Sequence, residues 1–331
     1  MPKTAKKITI NQAITALEKS RNSKAIVYIT GDRKPEKALS TLIASDVIPL
    51  FRDVLKNIGK TNKITLALYT NGGHLDTPWP LVNLIREYCE EFEVIILDKA
   101  LSAGTLIALG SDQIVMTPYS FLSPIDPAAD IQVENNQTKH FEIEDIIGYL
   151  DFVKQKMGIT QQNALSEIMK DLTKEITPTI LGSVNRTHSL IRMLAKNLLE
   201  IHKKPVPQKQ IKEIVEHLTQ KLFSHRHLIS RREARNIGLN KIIQFTTESD
   251  EAVIQDLMDC YRELLSLDDE LDPAVVIGKL DKTNLSLSRA VIHSSKLKFT
   301  FNSNCVIQRV VDPAGNPQFA VNFTSHKWLK K

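Results

Sequence analysis

Four short apolar runs, alternating with stretches of helical spacing, constrain this chain more than any other feature. Ala25–Thr30 (AIVYIT), Lys63–Thr70 (KITLALYT), Glu93–Leu97 (EVIIL) and Gln113–Thr117 (QIVMT) are rich in strand-forming residues and bounded by polar segments. Asp46–Ile58 carries Val47, Leu50, Phe51 and Leu55 on one helical face, and Asp76–Tyr88 carries Leu81, Leu84, Ile85 and Tyr88. Strands apolar throughout, separated by helices, predict a parallel sheet covered on both faces. Ala103–Gly110 (AGTLIALG) is too small and apolar for a surface helix, so a buried one is expected.

The second half reads differently. Glu142–Lys156, Thr160–Lys174 and Thr177–His202 are helical patterns with few strand signals. His202–Pro207 is a breaker, after which Lys209–Leu222 and Ser230–Ile237 resume helical spacing, and Lys241–Phe245 predicts a closing strand. Beyond lie a helix (Glu248–Leu265), a polar linker and a hairpin with arms Lys296–Val311 and Gln318–Phe323. A prior of about 100–200 residues per domain gives about two domains for this length, and the expected division of the 331 residues is 1–245 as one domain and 246–331 as an appendage.

Composition narrows the function classes. With 42% hydrophobic and 24% charged residues the chain is neither disordered nor fibrous. A net charge of +5 does not argue for nucleic acid. Cys89, Cys260 and Cys305 form neither a disulfide framework nor a metal spacing, which suits a reducing compartment. The charged, amphipathic start has no signal-peptide core, and no apolar run approaches the roughly 18 residues of a membrane span. A cytoplasmic protein without a membrane anchor is expected. The basic segment Ser224–Arg235 contains a capping box, Ser230 with Glu233. His225 and His227 alternate there without acidic or cysteine partners at metal spacing, so a solvated surface is expected rather than a metal or nucleic-acid site.

Two strand-to-helix junctions carry possible chemistry. In Tyr69-Thr-Asn-Gly-Gly-His-Leu75, the pair Gly72-Gly73 lets backbone N–H groups approach a ligand. In Lys99-Ala-Leu-Ser-Ala-Gly-Thr105, Ser102 opens the buried helix at the carboxyl edge of the sheet. Either feature alone is met in ordinary turns and helix caps. Together, on adjacent strands, they put a hydroxyl beside converging amide donors, as acyl transfer requires.

The order strand–NGG–helix–strand–LSAGTLIALGSDQIVM–SFLSPIDP resembles the ClpP/crotonase superfamily. Within it the chain is similar to the serine dehydrogenase proteinase family, relatives of the signal peptide peptidase SppA; Ser224–Leu239 adds to the likeness. The resemblance implies an α/β, ClpP/crotonase-like spiral fold with a helical second half and a small C-terminal α+β appendage. It implies a serine peptidase without cofactor or metal, acting on a peptide or protein substrate as a homo-oligomer. Ser102 takes the position of the nucleophile, Gly73 and Ala103 those of the oxyanion donors, and Gly72–Leu75 that of a peptide-binding strand. Asp112 and Asp126 take structural positions.

The general base stays open. Clp-type proteases place a histidine shortly after the serine, and Ser120–Asp126 has none. SppA-type enzymes use a lysine, and Lys154, 52 residues after Ser102, suits that separation. It serves only if its surroundings lower its pKa, the alternative being a solvated surface lysine. Lys139, Lys99 and His74 are rivals. Two other function classes remain: a catalytically inactive ClpP-like assembly or peptide-binding module, and an acyl-CoA enzyme, for which no acid/base carboxylate is evident.

Overall fold

The apolar runs form the parallel centre of a ten-stranded mixed sheet. The computed structural model describes residues 8–125, 128–133, 137–222, 224, 226–312 and 315–331; the side chains of 128–133, 137–145, 147 and 175 lie outside that description, as does Asp126. In chain order the first elements are α1 (Ile10–Arg21), β1 (Lys24–Thr30), α2 (Glu36–Leu39), α3 (Val47–Ile58) and β2 (Thr61–Thr70). There follow α4 (Pro78–Arg86), β3 (Cys89–Ala100), α5 (Ala103–Leu109), β4 (Gln113–Met116) and β5 (Phe121–Leu122). β1 to β4 pair in parallel as expected from their patterns.

Strand periodicity sorts the core into two layers. Ile26, Tyr28, Leu66, Leu68, Val94, Ile96, Ile114 and Met116 face α3, α4 and α5. Val27, Ile29, Ala67, Ile95 and Val115 face the other way, onto α1. Every residue of α5 is buried, in line with its composition.

The hairpin β6 (Ala128–Val133) and β7 (Gln137–Glu142) follows, in a stretch where the sequence shows few strand signals. Next come α6 (Ile143–Asp151), which runs into a π-helical turn over Phe152–Lys156, then α7 (Gln162–Glu175), α8 (Pro178–Glu200) and α9 (Gln208–Glu216). β8 (Ile229–Ser230) pairs with β5, and α10 (Arg231–Ala234) leads to β9 (Ile243–Phe245), which lies parallel to β4. The basic segment is accounted for locally. Ser230 accepts from the Glu233 N–H, His227 meets the Glu233 carboxylate at 2.7 Å, and the Arg231 and Arg235 guanidiniums stack on Phe245.

The residues after 245 continue the main sheet. α11 (Glu248–Leu265) starts from a capping box made by Thr247 and Asp250, and packs beside α1 on the Val27 layer. The stretch expected as a linker holds α12 (Pro273–Ile277) and β10 (Lys282–Ser294). Leu285 and Leu287 alternate there with Asn284, Ser286 and Ser288, so only one face of that part is apolar. β10 pairs antiparallel with β1, and β11 (Lys298–Val311) and β12 (Pro317–Lys330) extend the sheet outward. The order is β12-β11-β10-β1-β2-β3-β4-β9.

The α11–β10 seam contains a pH-sensitive contact. His293 is buried, and its Nδ1 lies 2.8 Å from the Tyr261 hydroxyl. Burial, and then the Lys298 charge, push its pKa down to about 4. The unfolded chain therefore binds the proton first as pH falls. Stability held above pH 6.5 is expected to decline by about 3 kcal/mol as pH approaches 4. Urea midpoints measured across that range check this, and His293→Gln should flatten the slope.

Candidate active site

Ser102 stands where the sheet divides. β3 pairs with β4 over Glu93–Ile96, then leaves it and pairs with β5 at Lys99 and Ala100. Crevices at the carboxyl ends of parallel strands are where such sheets hold ligands. Ser102 is the turn between β3 and α5, with φ 50° and ψ −110°. A non-glycine residue in that region costs about 1–3 kcal/mol and persists only when its surroundings hold it.

The surroundings do so. The Ser102 N–H donates to Ser123 Oγ at 2.7 Å, and the Gly104 N–H donates to the Leu101 carbonyl at 2.8 Å. Thr105 Oγ1 reaches both the Ala100 and the Ser123 carbonyls. A Cβ on Gly104 would collide with the Thr70 methyl, so glycine lets α5 lie against β2. The backbone of Ser102 is thereby held in the turn, and the residue is half-buried.

The glycine pair runs directly against this turn. A Cβ on Gly72 would lie 2.8 Å from the Leu101 carbonyl oxygen and 2.9 Å from the Ser102 Cβ, and its φ of +104° also favours glycine. Thr70 Oγ1 accepts from the Gly72 N–H and receives a bond from Thr30. Ile43 pairs alongside: its N–H donates to the Gly72 carbonyl and its carbonyl accepts from the His74 N–H, both at 2.8 Å. Alternation along an extended strand leaves the Gly73 N–H on the side away from Ile43. Ala103 is the first residue of α5, so its N–H has no carbonyl a turn earlier in its helix. Gly72 thus lies directly against the Ser102–Ala103 turn.

The candidate bases are placed unequally. Lys99 is engaged by an acidic partner: its amine lies 2.5 Å from Asp32 and over the Tyr69 ring. The Tyr69 hydroxyl also donates to Asp32, and burial, followed by that carboxylate, raises the tyrosine pKa. His74 is exposed. Lys154 is exposed on the π-helical turn after α6, next to the buried Val153. Lys139 is on β7, with its side chain outside the described residues. Among the described residues no amine or imidazole is hydrogen-bonded to Ser102 Oγ. Asp112 is structural, held by Arg86, the Phe92 N–H and the Lys203 N–H.

The profile of the ClpP-like SDH-type serine proteinases matches residues 2–270. The chain belongs to that family. Two uncharacterized proteins of Methanocaldococcus jannaschii are similar to it. One is 24% identical over 204 residues, covering 62% of this chain and 60% of its own. The other is 26% identical over 177 residues, covering 48% of this chain and 58% of its own. The chain thus spans about 60% of the length of these curated relatives. Two solved structures align loosely, each with a TM-score of 0.37. The 1510-N membrane-bound stomatin-specific protease is 17% identical, covering 71% of this chain and 85% of its own. ClpP1 from Listeria monocytogenes is 13% identical, covering 70% and 96%. Among the described residues of this SDH-type family member, no helix is long and apolar enough to cross a membrane.

Sequence reasoning missed the residues that hold the crevice in shape: Ile43, Thr70, Thr105 and Ser123. Thr105 and Ser123 sit inside the quoted motifs and were legible as polar residues in apolar company. Ile43 carried no signal, because its role is played entirely by its backbone.

Proposed function

We propose that this protein hydrolyses peptide bonds, with Ser102 as nucleophile. The observation that carries the reading is the strained Ser102 turn set against Gly72. Ser102 Oγ attacks the substrate carbonyl carbon while its proton passes to a base. The amides of Gly73 and Ala103 take the oxyanion, worth about 2.7–4 kcal/mol per donor in acyl transfer. The C–N bond then breaks, the amine leaves with that proton, and water repeats the sequence to free the serine.

Lys154 is the base we assign, in an SppA-like Ser–Lys pair. Lys154 is exposed on its turn, and a lysine acts as a general base where burial or neighbours favour its neutral form, so the proposal has it covered in the active assembly. Tyr149, Phe152 and Met157, each at least 43% exposed around it, offer an apolar surface for a second copy to cover. The proposal therefore includes a homo-oligomer, with a peptide or protein substrate and a cytoplasmic setting.

A fluorophosphonate tests the assignment. Peptide mapping of an active preparation is expected to find one adduct, on Ser102. An active preparation that carries none there would remove Ser102 from the mechanism. A second reading, an inactive peptide-binding module, draws on the missing amine or imidazole at Ser102 Oγ among the described residues. It predicts peptide binding with neither adduct nor hydrolysis.

A further inference from the structure

The C-terminal ribbon β10–β12 belongs to no step described so far, yet two of its side chains grip the segment that carries Ile43. Arg289 lies at a β-bulge, where the β10–β11 register shifts between Ser288 and Ala290. Bulges re-aim side chains, and this one sends a guanidinium out of the ribbon toward α2. Its Nε donates to the Leu39 carbonyl at 2.8 Å, and its Nη2 to the Ser40 and Ala38 carbonyls at 2.7 and 3.2 Å. These are the end carbonyls of a four-residue helix, which its own turn leaves unsatisfied. Backbone contacts double the grip: the Arg289 carbonyl accepts from the Gly31 N–H and from Thr41 Oγ1. Behind the guanidinium, Ser303 Oγ receives its Nη1 at 3.1 Å and meets His326 of β12 at 2.8 Å.

The second anchor lies on the far side of Ile43. Trp328 of β12 packs on Phe301 and donates its Nε1–H to Asp46 Oδ2 at 2.9 Å. Ile43 is thus bracketed, by Arg289 at residues 38–41 and by Trp328 at residue 46. Its backbone in turn sets the position of Gly72 and His74, and a Cβ on Gly73 would collide with it.

We propose that Arg289 and Trp328 are positioning residues for the Gly72–His74 strand, so that the C-terminal ribbon sets the geometry of the oxyanion site. The proposal rests on the peptidase reading for its catalytic consequence and on the backbone contacts for its physical one. Neither residue touches the reacting atoms. A shift of about 1 Å in an oxyanion donor is enough to cost about a hundredfold in rate. Lysine cannot replace Arg289, because one ammonium cannot span three carbonyls as a planar fork does.

Two measurements test it on the full chain, with Arg289→Lys and the milder Trp328→Phe. Hydrogen exchange of a peptide spanning Asn71–Leu75 is expected to quicken at least tenfold in Arg289→Lys, while the β3 core strand stays unchanged. Fluorophosphonate labelling of Ser102 is expected to lose about tenfold in its maximal rate with a half-saturating concentration within twofold. Trp328→Phe should move both in the same direction by less, with a cooperative thermal transition retained. Unchanged exchange in both variants overturns the positioning role, whatever the labelling does. Altered exchange in a protein whose Ser102 never labels leaves positioning standing and removes the peptidase reading.

Discussion

Ser102→Ala is expected to lower peptide hydrolysis by at least about a thousandfold while leaving the fold intact. The proposed chemistry requires a covalent bond from Oγ, and the neighbouring hydroxyls do not replace it. Ser123 Oγ is committed to the Ser102 N–H and to the Pro124 carbonyl, and Thr105 Oγ1 to two carbonyls. Alanine keeps the Cβ that faces Gly72 and the same positive φ, so the turn is not expected to change shape. The check is a paired assay of peptide hydrolysis and thermal unfolding on both proteins. Equal rates in the two would move the nucleophile elsewhere and end the peptidase assignment for this crevice.

Glu93→Gln is expected to destabilise the fold by about 3–5 kcal/mol, as breaking a buried ion pair commonly does. Glu93 is completely buried at the start of the core of β3. Its carboxylate accepts from Arg21 at 2.9 and 2.6 Å, Lys63 at 2.8 Å and Thr65 at 3.0 Å. Burial pushes the carboxyl up, but the bonds to Arg21 and Lys63 outweigh it and hold the pKa below the usual value. The stabilisation is therefore complete above pH 4.5 and lost as pH falls through the lower, folded-state value. Glutamine keeps the shape and leaves two cations facing each other. Glu91→Gln is the control: it lies 3.4 Å from Lys63 at the more exposed rim, and a change under about 0.5 kcal/mol is expected. Urea midpoints decide it. Matching losses in the two variants would show that the burial of Glu93 carries no special weight.

Both effects come from contacts of different reach, and reach governs what was legible. The parity of Ile26, Leu66, Val94 and Ile114 against Val27, Ala67, Ile95 and Val115 is local, and it specified two faces and a parallel sheet. The Ser102 and Gly72 junctions were legible because each follows a strand, and neighbouring strands bring their ends together. The first half of β10 carries a linker-like pattern because it is apolar on one side only. The sequence around Lys99 does not show where its amine goes, because its partner, Asp32, is 67 residues earlier. Arg289 and Ala38, 251 residues apart, gave no hint of each other. The proposed base is the same kind of problem: a separation of 52 residues suggests Lys154, but proximity to Ser102 Oγ depends on how distant helices pack.

Most of the segment Ser102–Gly110 earns its place by volume. Gly104 makes room for Thr70, and a Cβ on Gly110 would lie 2.7 Å from Val82 and 2.8 Å from Leu198. These two glycines are needed to bury α5 whether or not Ser102 reacts. The motif is therefore a signature of packing, and by itself it does not report activity. The proposed activity rests instead on two features that packing does not demand: the hydroxyl at 102, and the group proposed to take its proton.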